Sequence, residues 1–186
     1  YRAGRIDGYE AEERFAGQYC RRLMENYDYV LNMPLRIKRG QRPKYRMLHA
    51  TNHPQGCLLM VDNICKRWEA WQNIQSGGQF SLFKEDVNNQ NIDEEDIRQK
   101  VAEYYSQVLE LTSLNVSMAQ FFMSYGPICK TTDVKNALRA LETQGNIQVV
   151  RIPALTAGGK PTKFMDERTN KQKVSVRWTR KKYTSI

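Results

Sequence analysis

No stretch of this 186-residue sequence stays apolar for more than five residues, the longest run being Cys57 to Val61. A bilayer-spanning helix needs ~20, so no membrane segment is expected. The four cysteines, Cys20, Cys57, Cys65 and Cys129, show no CxxC spacing. Cys57 and Cys65 fall inside one apolar helical pattern, which suggests reduced core thiols in a cytosolic, cytoplasmic protein and no zinc or other metal site. There is no signal-peptide pattern and no initiator Met, and a start at Tyr1 points to a fragment. Negative charge is scarce late in the chain. From Thr112 onward thirteen Lys or Arg face only Asp133, Glu142, Asp166 and Glu167, whereas the earlier part is close to balanced within a formal net charge of +9. A basic end favours a polyanionic partner, of which nucleic acid is the commonest. An apolar content of 40% with 26% charged residues is that of a chain that folds into one large or two small domains.

What is present is clearest between Lys130 and Arg151. Val134, Ala137, Leu138 and Leu141 recur at i, i+3, i+4 and i+7, the stripe of a helix packed on a core. Thr131 or Thr132 can cap its start, Gly145-Asn146 can close it in the left-handed conformation, and Ile147 to Ile152 reads as a short β-branched strand. The face opposite the stripe carries Lys135, Asn136 and Arg139, residue types that reach phosphates and base edges from a major groove. The plain alternative is an ordinary solvated face.

Around this segment Asp93 caps a helix, DEEDIRQKVAEYYSQVLELT, with acids in its first turn and Ile97, Val101, Tyr104 or Tyr105, Val108 and Leu111 on one side. Ser117 starts a shorter helix, Met118 to Tyr125, and a last strand covers Val174 to Trp178. The order of three helices, strand, wing and strand is that of a winged helix-turn-helix over residues 93–186. Lys130, Thr131, Thr132, Lys135, Asn136, Arg139, Arg151, Lys160, Lys163, Arg180, Lys181 and Lys182 are its expected nucleic-acid contacts, with DNA favoured over RNA. Such a module can also hold a partner protein, since fold alone does not determine function.

The N-terminal part reads as α/β. Tyr9 to Tyr27 is a helix, with Phe15, Tyr19, Leu23 and Tyr27 recurring every four residues. A buried strand beginning YVLNMPLRI and a second, Tyr45-RMLHAT, form an antiparallel hairpin, with Arg36, Lys38, Arg39, Arg42, Lys44 and Arg46 in and beside its link. That link is either a solvated turn or a phosphate-contacting tip. Thr51 or Asn52 caps the next helix, Pro54 sits in its first turn, and Leu58, Val61, Cys65 and Trp68 run down one side. His53, with no Cys, Asp or Glu close by, reads as a structural hydrogen-bonder rather than a catalytic base. The Gly-, Ser- and Asn-rich stretch that follows supplies a linker at residues 81–92.

The segments YVLNMPLRI and YRMLHATNHPQGCLLM resemble the three-Cys-motif partner proteins, a bacterial family with a methyltransferase-like Rossmann region followed by a winged helix. The shared features are the Met33-Pro34-Leu35 strand end, the strand leading into Thr51-Asn52-His53-Pro54-Gln55-Gly56, the apolar helix with Met60, and QFSLF before a basic winged helix. The resemblance implies that residues 1–80 are the C-terminal part of a methyltransferase-like domain, that Tyr29 to Thr51 are its antiparallel sixth and seventh strands, and that Arg36, Lys38, Arg39, Arg42 and Lys44 lie at a substrate rim. A strand with a Gly-rich turn and a carboxylate on the following strand is lacking. Either S-adenosylmethionine belongs to an N-terminal half outside these residues or the resemblance concerns architecture only, and no catalytic residue is located within them. A transcription regulator with a sensing or dimerising α/β region is the alternative.

Overall fold

The computed structural model describes residues 8–35, 45–75, 93–168 and 171–179. Among them are five helices and two small antiparallel sheets, a mixed α/β arrangement. The chain divides into two units, Tyr1–Asn91 with Phe122–Ile128, and Ile92–Phe121 with Cys129–Ile186. The linker 81–92, the hairpin link with Arg36, Lys38, Arg39, Arg42 and Lys44, and the terminal Arg180, Lys181 and Lys182 lie outside the described residues.

In the first unit β1 (Tyr29–Leu35) and β2 (Tyr45–Thr51) pair antiparallel from Tyr29 opposite Thr51 to Leu35 opposite Tyr45. Helix α1 (Gly8–Met24) packs on the face that bears Arg46, whose guanidinium pairs with Glu12 at 2.9 Å and with Glu13. Helix α2 (Pro54–Gln75) buries Cys57, Leu58, Val61, Ile64 and Cys65. Covered in this way, Val30, Leu31 and Met33 are all buried, although neighbouring strand residues point to opposite faces.

Two expectations are corrected here. Along α1 a four-residue spacing advances 400°, so the series Phe15, Tyr19, Leu23 drifts ~40° per step around the helix. The buried face is instead Ala16 and Cys20, Phe15 is 70% exposed, and Tyr27 lies beyond the helix end. At the start of α2 the backbone N–H of His53 donates to Thr51 Oγ1 at 3.2 Å, while the Asn52 side chain accepts from Asp28 N–H at 3.0 Å and so ties the two strand ends together.

Burial pushes the Cys57 thiol up to about 11 from the usual 9.0. The folded state therefore holds this proton more tightly than the unfolded chain. The resulting stability is fully present below pH 9 and is lost as the pH rises toward 11, by at most ~3 kcal/mol. Urea midpoints measured across that window should fall for the wild type and stay flatter for Cys57→Ala. An equal fall in both would refute the assignment.

The second unit runs α3 (Glu94–Tyr105), β3 (Thr112–Ser113), α4 (Leu114–Tyr125) as far as Phe121, α5 (Thr131–Thr143), β4 (Ile147–Ile152) and β5 (Lys173–Trp178), with sheet order β3-β5-β4. Helix α3 ends earlier than its apolar pattern suggests. Ser106 occupies its C-cap with the hydroxyl donating to Glu103 O at 2.6 Å, and Leu111 is left 48% exposed ahead of the short strand β3. Of the two tyrosines it is Tyr105 that is buried, its hydroxyl 3.0 Å from Ser117 Oγ and its pKa raised chiefly by burial. Tyr104 lies edge-on to both Tyr105 and Phe121. Tyr105 and Phe121 form the core with Ile97, Val101, Leu114, Met118, Val134, Leu138, Met165, Val174 and Val176.

Candidate nucleic-acid interface

Helix α5 is fixed at both ends by local chemistry. Lys130 is the N-cap residue, and its backbone N–H donates to the Asp133 carboxylate at 2.9 Å. An acid in the first turn also opposes the positive helix end. Thr131 and Thr132 thus fall inside the helix rather than at its cap, the first buried and the second exposed. At the other end Gly145, at φ 73°, donates to Glu142 O and Asn146 donates to Leu141 O, both at 2.9 Å. This pair of bonds is the Schellman closure that only a left-handed residue permits.

Val134, Ala137, Leu138 and Leu141 are buried, as their spacing requires. On the opposite face Asn136 and Arg139 are exposed and joined, with Arg139 Nη1 donating to Asn136 Oδ1 at 2.9 Å. Lys135 does not stand with them. Its ammonium is drawn onto Asp166 Oδ1 at 2.5 Å in the β4–β5 connection, and its side chain is only 19% exposed. The four-methylene stem lets the charge swing from the helix face to a carboxylate beside it.

Arg151 is likewise committed within the unit. It sits on the inner face of β4, in line with Ile147 and Val149, because alternate residues of a strand share a face. Its two Nη atoms meet both oxygens of Glu142 at 2.6 and 2.7 Å, and Nε donates to Phe164 O at 2.8 Å. Counting from Ile147 in steps of two would have placed it inward. A half-buried bidentate pair of this kind costs more to break than an exposed one. Arg151→Ala should lose about 2–3 kcal/mol of stability, against under ~1 kcal/mol for Lys135→Ala, whose partner Asp166 is exposed. Urea denaturation of the two variants checks the ranking, and equal losses would contradict it.

The β4–β5 connection carries Lys160 and Lys163, both exposed. Lys135–Asp166 fastens it to α5 and Arg151–Phe164 O fastens it to β4. Four more exposed cations, Arg168, Lys171, Lys173 and Arg177, were not singled out as contacts from the sequence. Lys173 and Arg177 share the outer face of β5, which the same two-residue alternation would have indicated.

The acids decide the electrostatics. Asp133 caps α5, Glu142 holds Arg151, and Asp166 holds Lys135. Glu167 accepts from Ser113 Oγ and Asn115 N–H at 2.8 Å and from Val174 N–H at 3.2 Å. Every carboxylate after Thr112 is thus occupied by the fold itself. Among the described residues, Arg139, Lys160, Lys163, Arg168, Lys171, Lys173 and Arg177 are exposed without a carboxylate in ion-pair range.

Among the described residues no group of three His, Cys, Asp or Glu side chains is placed to hold a metal ion, and no helix is long and apolar enough to cross a membrane. No protein-family model, no curated protein and no solved structure matches this chain.

Proposed function

We propose that the C-terminal unit is a winged helix-turn-helix that binds duplex nucleic acid, with α5 as the helix that enters the groove and the β4–β5 connection as the wing. The observation that carries this reading is the occupation of all four late carboxylates by the fold, which leaves seven exposed cations unneutralised among the described residues of one basic unit. A surface of this kind attracts phosphates over a Debye length. The helix–strand–helix–helix–strand–strand order and the β3-β5-β4 sheet support the fold assignment. DNA is the favoured partner because a B-form major groove, ~12 Å wide, admits a helix, whereas the A-form groove of RNA is too narrow for side chains to read. Asn136 is proposed to reach a base edge, Thr132 a phosphate, and Arg139 a phosphate together with a base edge. Lys135 and Arg151 are assigned to positioning the wing.

The N-terminal unit is proposed to be the end of a methyltransferase-like sheet of the kind found in three-Cys-motif partner proteins. Helices packed against an antiparallel strand pair support that reading. Catalysis is not assigned to it. The test of the nucleic-acid reading is anisotropy of a labelled duplex with the whole chain. Binding that weakens for Arg139→Ala but not for the exposed α1 variant Gln18→Ala is the expected result. No binding at low salt would overturn it and leave protein docking by the same unit as the reading to pursue.

A further inference from the structure

The first half of the β4–β5 connection is a small, tightly bonded hairpin of its own. Leu155 bridges Pro161, and Thr162 N–H donates to Ala154 O at 2.9 Å. The Thr162 hydroxyl reaches Pro153 O at 2.8 Å. At the apex Thr156 N–H donates to Lys160 O at 2.8 Å, Gly159 N–H donates to Thr156 O at 2.9 Å, and Gly159 takes φ 74°, which a side chain would resist. The apex is therefore narrow and held in one shape before any ligand arrives. Leu155 stands at its mouth, 56% exposed, and Lys160 and Lys163 follow it, both exposed.

We infer that this hairpin is a wedge for the minor groove of duplex DNA, with Leu155 as the side chain that inserts between base steps. The inference rests on the nucleic-acid reading of the unit. A minor groove is ~6 Å wide and excludes a helix, but a two-stranded turn with small residues such as Ala157, Gly158 and Gly159 at its apex can enter it. Lysines beside the apolar residue neutralise the phosphates that a closing groove brings together. An apolar wedge partly unstacks one step and kinks the duplex toward the major groove by about 20–90°. Flexible pyrimidine–purine steps are the sites where such a kink costs least. The fastening of the connection to α5 through Lys135–Asp166 means that the wedge and the helix would engage the same duplex together.

The experiment is energy transfer between dyes at the two ends of a short duplex containing a central TA step, measured with the whole chain at saturating protein. Wild-type binding should shorten the end-to-end distance. Leu155→Ser should lose that shortening while remaining bound, and Leu155→Met should keep it. Lys163→Ala should need more protein and then bend the DNA as the wild type does. Thermal melting should be the same for the Leu155 variants, since the side chain is exposed. Binding with no change in distance, or bending by Leu155→Ser equal to that of the wild type, would overturn the wedge alone. Absence of binding by the wild type would overturn both the wedge and the reading beneath it.

Discussion

Raising the salt concentration from about 50 to about 200 mM is expected to weaken duplex binding ~150-fold. Each neutralised phosphate releases counterions and contributes about −0.9 to the slope of log K against log salt. With Arg139, Lys160, Lys163 and Arg168 each meeting one phosphate, the slope is about −3.6, and a fourfold rise in salt gives the quoted loss. The double variant Arg139→Ala, Lys163→Ala should flatten the slope by roughly 1.8. Lys135→Ala should leave it nearly unchanged, because that ammonium is already neutralised by Asp166. The comparison separates the proposed interface from general basicity, since all three substitutions lower the net charge. Slopes that fall in proportion to charge removed, whichever residue is changed, would show that the named surface has no special part in binding. Sequence preference is a separate readout. Arg139→Ala should relax it by about 1–3 kcal/mol at one base position if the guanidinium reads a guanine edge, whereas Lys163→Ala should weaken all sequences alike.

Replacing Glu167 by alanine is expected to cost about 3 kcal/mol, which for a unit of this size lowers the melting temperature by ~15 °C. One carboxylate serves three donors: Ser113 Oγ and Asn115 N–H, 54 and 52 positions away at the junction of β3 and α4, and Val174 N–H, seven positions away on β5. Its removal leaves part-buried donors unpaired, each a loss of roughly 1 kcal/mol or more, and withdraws the negative charge from the start of α4. Glu167→Gln retains one acceptor oxygen and presents an amide to the remaining donors, so about half the loss is expected. Asp166→Ala next door removes only an exposed ion pair and should cost under ~1 kcal/mol. Thermal denaturation of the three variants followed by circular dichroism gives the ranking. A drop of only a few degrees for Glu167→Ala would mean that water replaces the carboxylate.

Whether a feature could be read from the sequence depended on the range of the interaction behind it. The stripe of α5, its Gly145 closure and the strand Ile147–Ile152 were legible because the determining residues lie within a turn or two of one another. The β1–β2 pairing was legible for a similar reason, two short strands joined by a short link. Where the pattern was ambiguous the reading failed. The four-residue spacing from Phe15 named an apolar face for α1 that the fold leaves largely outside, because the drift of such a series is small enough to pass for a stripe.

The candidate interface divides in the same way. Composition and residue order alone determined that the later part of the chain is basic, that α5 has one polar face, and that a Gly- and Lys-rich connection follows β4. Only the tertiary structure decided which cations remain available. Lys135 meets Asp166 across 31 positions, Arg151 meets Glu142 across nine, and Glu167 sets the start of α4 from 52 positions away. The physical reason is that backbone periodicity is a property of neighbours in sequence, whereas an ion pair or a cap is a property of neighbours in space. A charge that is free in the sequence can be neutralised by any carboxylate the fold brings within ~4 Å.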